Sequence, residues 1–159
     1  MSTSSLFPSA PLNRQCYKGV GVGSAGPFSP ELGARDRMRI LLCEDHDSIR
    51  GMIQILVEAS GHEVVGVATG DKAVERALKE DFDVLLLDLM LPGMDGFDVC
   101  EHMRADDKTK GMPMFIISAM DDPGSRERAK KSGATAFYGK PFNPIELLED
   151  IAKLGRTPR

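Results

Sequence analysis

Five apolar runs of strand length, at about 39–43, 63–68, 83–87, 113–117 and 135–138, alternate with segments of helical spacing from Arg39 onward. Ile49, Met52, Ile53, Leu56 and Val57 make an i, i+3, i+4, i+7, i+8 stripe that ends at Gly61, a residue suited to stopping a helix. Further helices are predicted at about 71–80, 95–105, 122–132 and 143–154. The last has Asn143 as its N-cap, Pro144 at the first helical position and Glu146 at the third, a good start signal. Strict β/α alternation with short connections predicts an α/β fold, a parallel sheet with right-handed crossovers and helices on both faces. Open sheets of this kind gather ligands at the carboxyl ends of their strands.

The chain's most reactive side chains fall at those ends. Asp88 closes the run Val84-Leu85-Leu86-Leu87 and is followed by Leu89-Met90-Leu91-Pro92-Gly93-Met94-Asp95-Gly96, a turn sequence that leaves the strand sharply and exposes the carboxylate. Glu44 and Asp45 follow Ile40-Leu41-Leu42-Cys43, Ser118 follows Met114-Phe115-Ile116-Ile117, and Lys140 follows Ala136-Phe137-Tyr138-Gly139. Three acids, a hydroxyl and a lysine, each at a strand terminus, describe a magnesium-dependent phosphoryl-accepting site. A carboxylate attacks a phosphoryl group poorly until the repulsion between the two anions is cancelled. Mg2+ does this and prefers oxygen ligands, while a lysine supplies a compact point charge. Catalysis at such a site is positioning plus charge stabilisation.

Those residues resemble the receiver domain of two-component response regulators, the CheY-like family, from about Met38 to Leu154. The resemblance rests on four motifs in order: Glu44-Asp45, Asp88 with its Pro92-Gly93-Met94-Asp95-Gly96 turn, Ser118-Ala119, and Lys140-Pro141-Phe142. It implies a doubly wound, flavodoxin-like (βα)5 fold with strand order 2-1-3-4-5. It further implies that Asp88 takes a phosphoryl group from a phosphohistidine on a sensor histidine kinase or phosphotransfer protein. Asp45 and Asp88 would bind Mg2+ directly, Glu44 through a water, and the backbone carbonyl of Met90 would complete the set. Glu44 is one methylene longer than the commoner aspartate, which alters only its reach. Ser118 and Lys140 would contact phosphoryl oxygens, and the Lys140-Pro141 bond would be cis.

By the same resemblance, phosphorylation draws Ser118 inward and Phe137 fills the vacated space, so that signalling runs through the fourth helix, fifth strand and fifth helix. Phe137 lacks the hydroxyl of the tyrosine often found there, so its inward state gains packing but no terminal hydrogen bond. Met90 and Met120, two residues past Asp88 and Ser118, flank the path of the hydrolytic water. Thioethers orient water poorly, so a long-lived phosphoaspartate is expected. Apart from its own phosphorylation and dephosphorylation, no enzymatic activity is expected.

Other candidates have plainer readings. Asp47-Ser48 suits a helix cap, His46 is set aside as a ligand because magnesium prefers oxygen, and His62 and His102 read as surface residues. Cys43 reads as a small buried hydrophobe. The methionines other than Met90 and Met120 read as core filler, and Lys108, Thr109 and Lys110 as a solvated loop.

A net charge of −4 gives no footprint for direct nucleic-acid or membrane binding. No apolar stretch approaches the roughly 18 to 20 residues needed to span a bilayer. Three cysteines, Cys16, Cys43 and Cys100, show neither disulfide-framework nor metal spacing, which fits a reducing cytoplasm.

Residues 1–37 are rich in Ser, Pro and Gly without a sustained apolar period, so they are expected to be a disordered extension. The plainer account is that translation begins at Met38. Residues 38–155 form the expected receiver domain and 156–159 a short tail, giving a stand-alone receiver that acts on a downstream protein target and leaves room for a phosphorylation-dependent dimer. Two rivals stay in view. One is a receiver-like interaction module that is never phosphorylated. The other is a haloacid-dehalogenase-type phosphatase, suggested by Asp45-His46-Asp47; it needs a late acidic pair that nothing after Lys140 supplies, and it leaves Asp88 without a role.

Overall fold

The computed structural model describes residues 4–6 and 37–155. In chain order these form β1 (Ser4–Leu6), β2 (Arg39–Cys43), α1 (Asp47–Ala59), β3 (Glu63–Val67), α2 (Gly70–Lys79) and β4 (Val84–Leu87). Then come α3 (Gly96–Ala105), β5 (Met114–Ser118), α4 (Pro123–Lys131), β6 (Ala136–Gly139) and α5 (Pro144–Gly155). The sheet runs β1-β6-β5-β4-β2-β3. All pairings from β3 to β6 are parallel. Counted without β1, the five parallel strands stand in the expected order 2-1-3-4-5.

Parallel strands covered on both faces read as continuous apolar runs, and every residue of β4, β5 and β6 is buried. Alternate residues serve opposite faces. Leu41, Leu85, Leu87, Ile116 and Phe137 join α2, α3 and α4 in one apolar cluster. Ile40, Leu42, Leu86, Ile117 and Tyr138 join α1 and α5 in the other. Truncating one of the fully buried strand leucines, such as Leu85, would cost about 3 kcal/mol in transfer and cavity terms. The buried Tyr138 hydroxyl donates to Asp150 Oδ2 at 2.6 Å, and Lys153 donates to Asp150 Oδ1 at 2.8 Å. This chain of bonds fastens α5 to β6.

Several local expectations need correction. Ser4–Leu6 lies in the segment expected to lack structure, yet it pairs antiparallel with β6, with Ser5 opposite Phe137. The remainder of residues 1–37, Arg37 excepted, and residues 156–159 lie outside the described residues, as does Cys16. Asp47 is the first residue of α1 rather than its cap; the N-cap is His46, which makes no side-chain capping bond. Asp47 instead pairs with Arg50 one turn on. His62, expected at the surface, is buried, and its Nδ1 accepts the Met38 N–H at 3.3 Å. Thr109 is buried too and donates to the Met103 carbonyl at 2.8 Å, whereas Lys108 and Lys110 are exposed. Met52 is 53% exposed and is not core filler. Other starts and stops match: Gly61 donates to the Glu58 carbonyl just past α1, and Asn143 Oδ1 accepts the Ile145 N–H at the start of α5.

Candidate functional site

Neighbouring strand ends carry the expected site residues to the carboxyl end of the sheet. The Asp88 N–H donates to the Cys43 carbonyl at 3.0 Å, so Asp88 leaves β4 beside the point where Glu44 leaves β2. Ser118 lies opposite Gly139 in the β5–β6 ladder, and the Lys140 N–H donates to the Ser118 carbonyl at 2.9 Å. The Lys140-Pro141 peptide is cis, as expected. Lys140 Nζ donates to Glu44 Oε2 at 2.7 Å and to Asp88 Oδ2 at 3.0 Å.

The turn after β4 fixes the backbone around Asp88. Asp88 Oδ1 accepts the Met90 N–H at 3.1 Å. The Asp95 side chain caps α3 by accepting the Asp98 N–H at 2.9 Å. A methyl group on Gly96 would lie 2.5 Å from the Asp88 carbonyl oxygen and 2.6 Å from the Leu89 Cα. Only a glycine lets α3 begin this close to the Asp88–Leu89 backbone.

The turn does not expose the Asp88 carboxylate as expected, because Lys140 lies against it: Glu44 and Asp88 are buried, at 1% and 4% exposure, while Asp45 is partly exposed. Burial raises Glu44 above the ordinary carboxylate range, against the pull of its bond to Lys140. For Lys140, burial favours the neutral amine, but the bonds and attraction from Glu44 and Asp88 outweigh it and leave its pKa raised. Asp45 Oδ1 is buried and accepts no hydrogen bond. His46 Nδ1 lies 3.1 Å from it and also 3.1 Å from Glu44 Oε1, where the contact is a hydrogen bond. Glu44, and Asp45 through its charge, hold the His46 imidazole above its usual range.

The sequence reading set His46 aside, yet its ring faces both acids, and its place next to them in the chain was the available signal. Arg50 was also missed; its Nη1 braces the Glu44 carbonyl at 2.8 Å. Nothing in the helical pattern marked it.

The donor set fits a hard divalent cation. Carboxylate oxygens lead it, and Asp45 presents a buried oxygen that accepts no hydrogen bond and has the His46 ring 3.1 Å away. The other expected site residues fall as follows. Ser118 is fully buried, and its Oγ accepts the Met120 N–H at 3.1 Å, which leaves the hydroxyl proton to donate elsewhere. Phe137 is fully buried on β6, with the Arg126 guanidinium 4.7 Å above its ring. Met120 packs against the α2–α4 cluster, while the Met90 side chain is 56% exposed. Cys43 is buried, its thiol pushed up to about 12 chiefly by desolvation, and Cys100 is buried as well.

Residues 40–152 match the family model described as the response regulator receiver domain. The chain belongs to that family. The receiver is 34% identical over 118 residues to response regulator PleD of Caulobacter vibrioides, covering 74% of this chain and 26% of that protein. It is 30% identical over 141 residues to the sensory/regulatory protein RpfC of Xanthomonas campestris, covering 87% of this chain and 19% of RpfC. The chain therefore spans a small part of these curated relatives.

Among solved structures, Vibrio cholerae chemotaxis protein CheY4 superposes with a TM-score of 0.70 at 31% identity, covering 74% of this chain and 98% of CheY4. The receiver domain of the sensor histidine kinase PA1611 from Pseudomonas aeruginosa gives a TM-score of 0.71 at 28% identity, covering 76% of this chain and 99% of that one. That domain holds a magnesium ion in its active site cleft.

Proposed function

We propose that the receiver accepts one phosphoryl group on Asp88 from a phosphohistidine of a sensor histidine kinase or phosphotransfer protein, with Mg2+, and signals by contact with a downstream protein. The observation that carries this reading is the Lys140 ammonium held between Glu44 and Asp88 at the strand ends. In the step, an Asp88 carboxylate oxygen bonds to phosphorus as the phosphorus–nitrogen bond breaks, and the departing imidazole takes up a proton. Lys140 neutralises charge on the transferring group, and the Ser118 hydroxyl donates to one of its oxygens. Asp45, Asp88, Glu44 through a water and the Met90 carbonyl would hold Mg2+, which cancels repulsion between the carboxylate and the phosphoryl group.

On this reading the chain turns over no free substrate, and output passes through α4, β6 and α5. Among the described residues no helix is long and apolar enough to cross a membrane, and a cytoplasmic location is proposed with the function. The test is intact-mass measurement after incubation with acetyl phosphate, with and without magnesium, on wild type and Asp88→Asn. One magnesium-dependent phosphoryl group on wild type and none on the variant is expected. Equal labelling would remove Asp88 as acceptor, no labelling of either would favour a receiver-like interaction module, and continuous release of inorganic phosphate would favour the phosphatase.

A further inference from the structure

Beyond the acceptor site, the loop between β5 and α4 is fastened to β6 in a way that neither the motifs nor the site chemistry require. The carboxylate of Asp121 lies directly against Gly139. A methyl group there would fall 2.0 Å from Asp121 Oδ2, 2.6 Å from its Cγ and 3.1 Å from its Cβ. The Asp121 N–H donates to the Ala119 carbonyl at 3.0 Å, which holds the residue in a tight turn. Its Oδ1 is paired with the Arg126 guanidinium, which reaches back from α4. That guanidinium sits over the ring of Phe137, two residues before Gly139 and so on the same face of β6. Asp122 fixes the start of the helix by accepting the Ser125 N–H at 2.9 Å.

The contact therefore joins three things. On the loop side it begins three residues after Ser118, whose Oγ holds the Met120 N–H in the same turn. On the strand side it ends at Gly139, the ladder partner of Ser118 and the neighbour of Lys140. Across the top it covers Phe137, which is fully buried. A carboxylate can sit flat on a strand only where no Cβ stands in its way, and a guanidinium both pairs with that carboxylate and stacks on an aromatic face.

We propose that Asp121 and Arg126 are a positioning pair that clamps the loop after Ser118 onto β6 at Gly139 and holds Phe137 buried before phosphorylation. The clamp rests on the proposed function for its consequence but not for its existence. A protein whose binding-competent arrangement is already populated binds its ligand without the penalty of first reaching that arrangement. With the clamp in place, part of the rearrangement that phosphorylation must otherwise drive is already complete.

Two measurements test this, on Gly139→Ala, which evicts Asp121 without removing a charge, and on Arg126→Met, which removes the pair while leaving Gly139 free. In the free protein, NMR exchange measurements on the Phe137 ring should find a single buried state in wild type. Both variants should exchange between buried and exposed states. A ring that stays singly buried in both overturns the clamp, whatever the acceptor chemistry. A purely structural role would lower the melting temperature and leave the ring state alone.

The second measurement titrates magnesium and beryllofluoride, a phosphoryl mimic. The variants should bind about fivefold or more weakly than wild type, with larger Phe137 shift changes on binding. Affinities equal to wild type overturn the coupling. Failure of wild type itself to bind strikes the acceptor reading, and the ring measurement still decides the clamp.

Discussion

The ammonium of Lys140 lies 3.0 Å from Asp88 Oδ2, an ion pair that joins the end of β6 to the end of β4. The same nitrogen lies 2.7 Å from Glu44 Oε2, so one cation stands between two buried carboxylates. Removing it leaves those charges facing each other. Lys140→Met should lose about 3 kcal/mol of stability in the presence of a chelator, as expected when one partner of a buried pair is removed. Magnesium should restore part of the loss. Thermal melts of wild type and variant, with and without the cation, check this; equal stability in chelator would mean that Lys140 does not hold the acids together.

Magnesium should stabilise wild type as well, because a ligand that binds only the native state shifts the folding equilibrium toward it. At 100 times its dissociation constant the gain is about 2.7 kcal/mol. Asp45 Oδ1, buried and without a hydrogen bond but 3.1 Å from the His46 ring, is the oxygen expected to supply much of that affinity. Asp45→Ala should therefore flatten the rise in melting temperature with magnesium. A variant that responds as wild type does would move the cation elsewhere.

Glu44 adds a dependence on pH. Burial first, opposed by Lys140, leaves its folded pKa above its unfolded value. A carboxyl of this kind binds its proton more tightly in the native state, so its contribution to stability is full below the unfolded pKa and is lost as pH rises through the folded one. In chelator, the stability of wild type relative to Glu44→Gln should then be highest in mild acid and fall toward neutral pH. A difference between the two proteins that does not change with pH would show that Glu44 titrates normally.

The parallel strands and helices were legible because each carries its own local signal. The runs ending at Cys43, Leu87 and Ser118 are continuous and apolar since they are buried on both faces, and Asn143-Pro144 and Gly61 mark helix boundaries by their hydrogen-bonding habits. The grouping of Glu44, Asp45, Asp88, Ser118 and Lys140 was legible because all of them follow strands, whose ends the topology brings together. What stayed hidden depends on contacts between distant residues. His62 reads as a surface residue until Met38 gives its ring a donor. The seat of Asp121 on Gly139 leaves no pattern in either segment, since a glycine before Lys140 and an acid after Ser118 are each unremarkable alone. β1 is three residues in a stretch poor in strand formers, and its partner β6 lies some 130 residues away.

A chain beginning at Met38 should still fold and label on Asp88, because the five parallel strands and all site residues lie downstream. Its β6 should differ. Pairing with β1 covers the edge of β6 at Ala136, Phe137 and Tyr138, and removing it turns β6 into an open edge. Amide hydrogen exchange at 136–138 should be faster in the shortened chain than in the full one, with little change in β2 or β4. Unchanged exchange would mean that β1 gives the edge no lasting protection. Loss of labelling would mean that the N-terminal segment supports the site itself.

The lifetime of the phosphorylated form should be set by the side chains that flank Asp88 and Ser118. Hydrolysis needs a water aligned opposite the Asp88 oxygen. Met120 is held next to Ser118 by its own N–H and packs against the core, whereas the Met90 side chain stands exposed beyond Asp88. Neither thioether offers more than a weak acceptor to orient a water. Met120 would then supply a packed wall beside the approach, and the exposed Met90 would act by lacking a polar group at its mouth. A carboxylate or amide in either place would give the water a hydrogen-bond partner. Met120→Glu and Met90→Asn should therefore shorten the lifetime, by about tenfold for a gain of roughly 1.4 kcal/mol in transition-state stabilisation. The measurement is decay of phosphorylated protein after removal of the donor, and Met90→Leu, equally apolar, should decay like wild type. If both polar variants also decay at the wild-type rate, these side chains do not set the lifetime, and the water is aligned by the backbone and the cation alone.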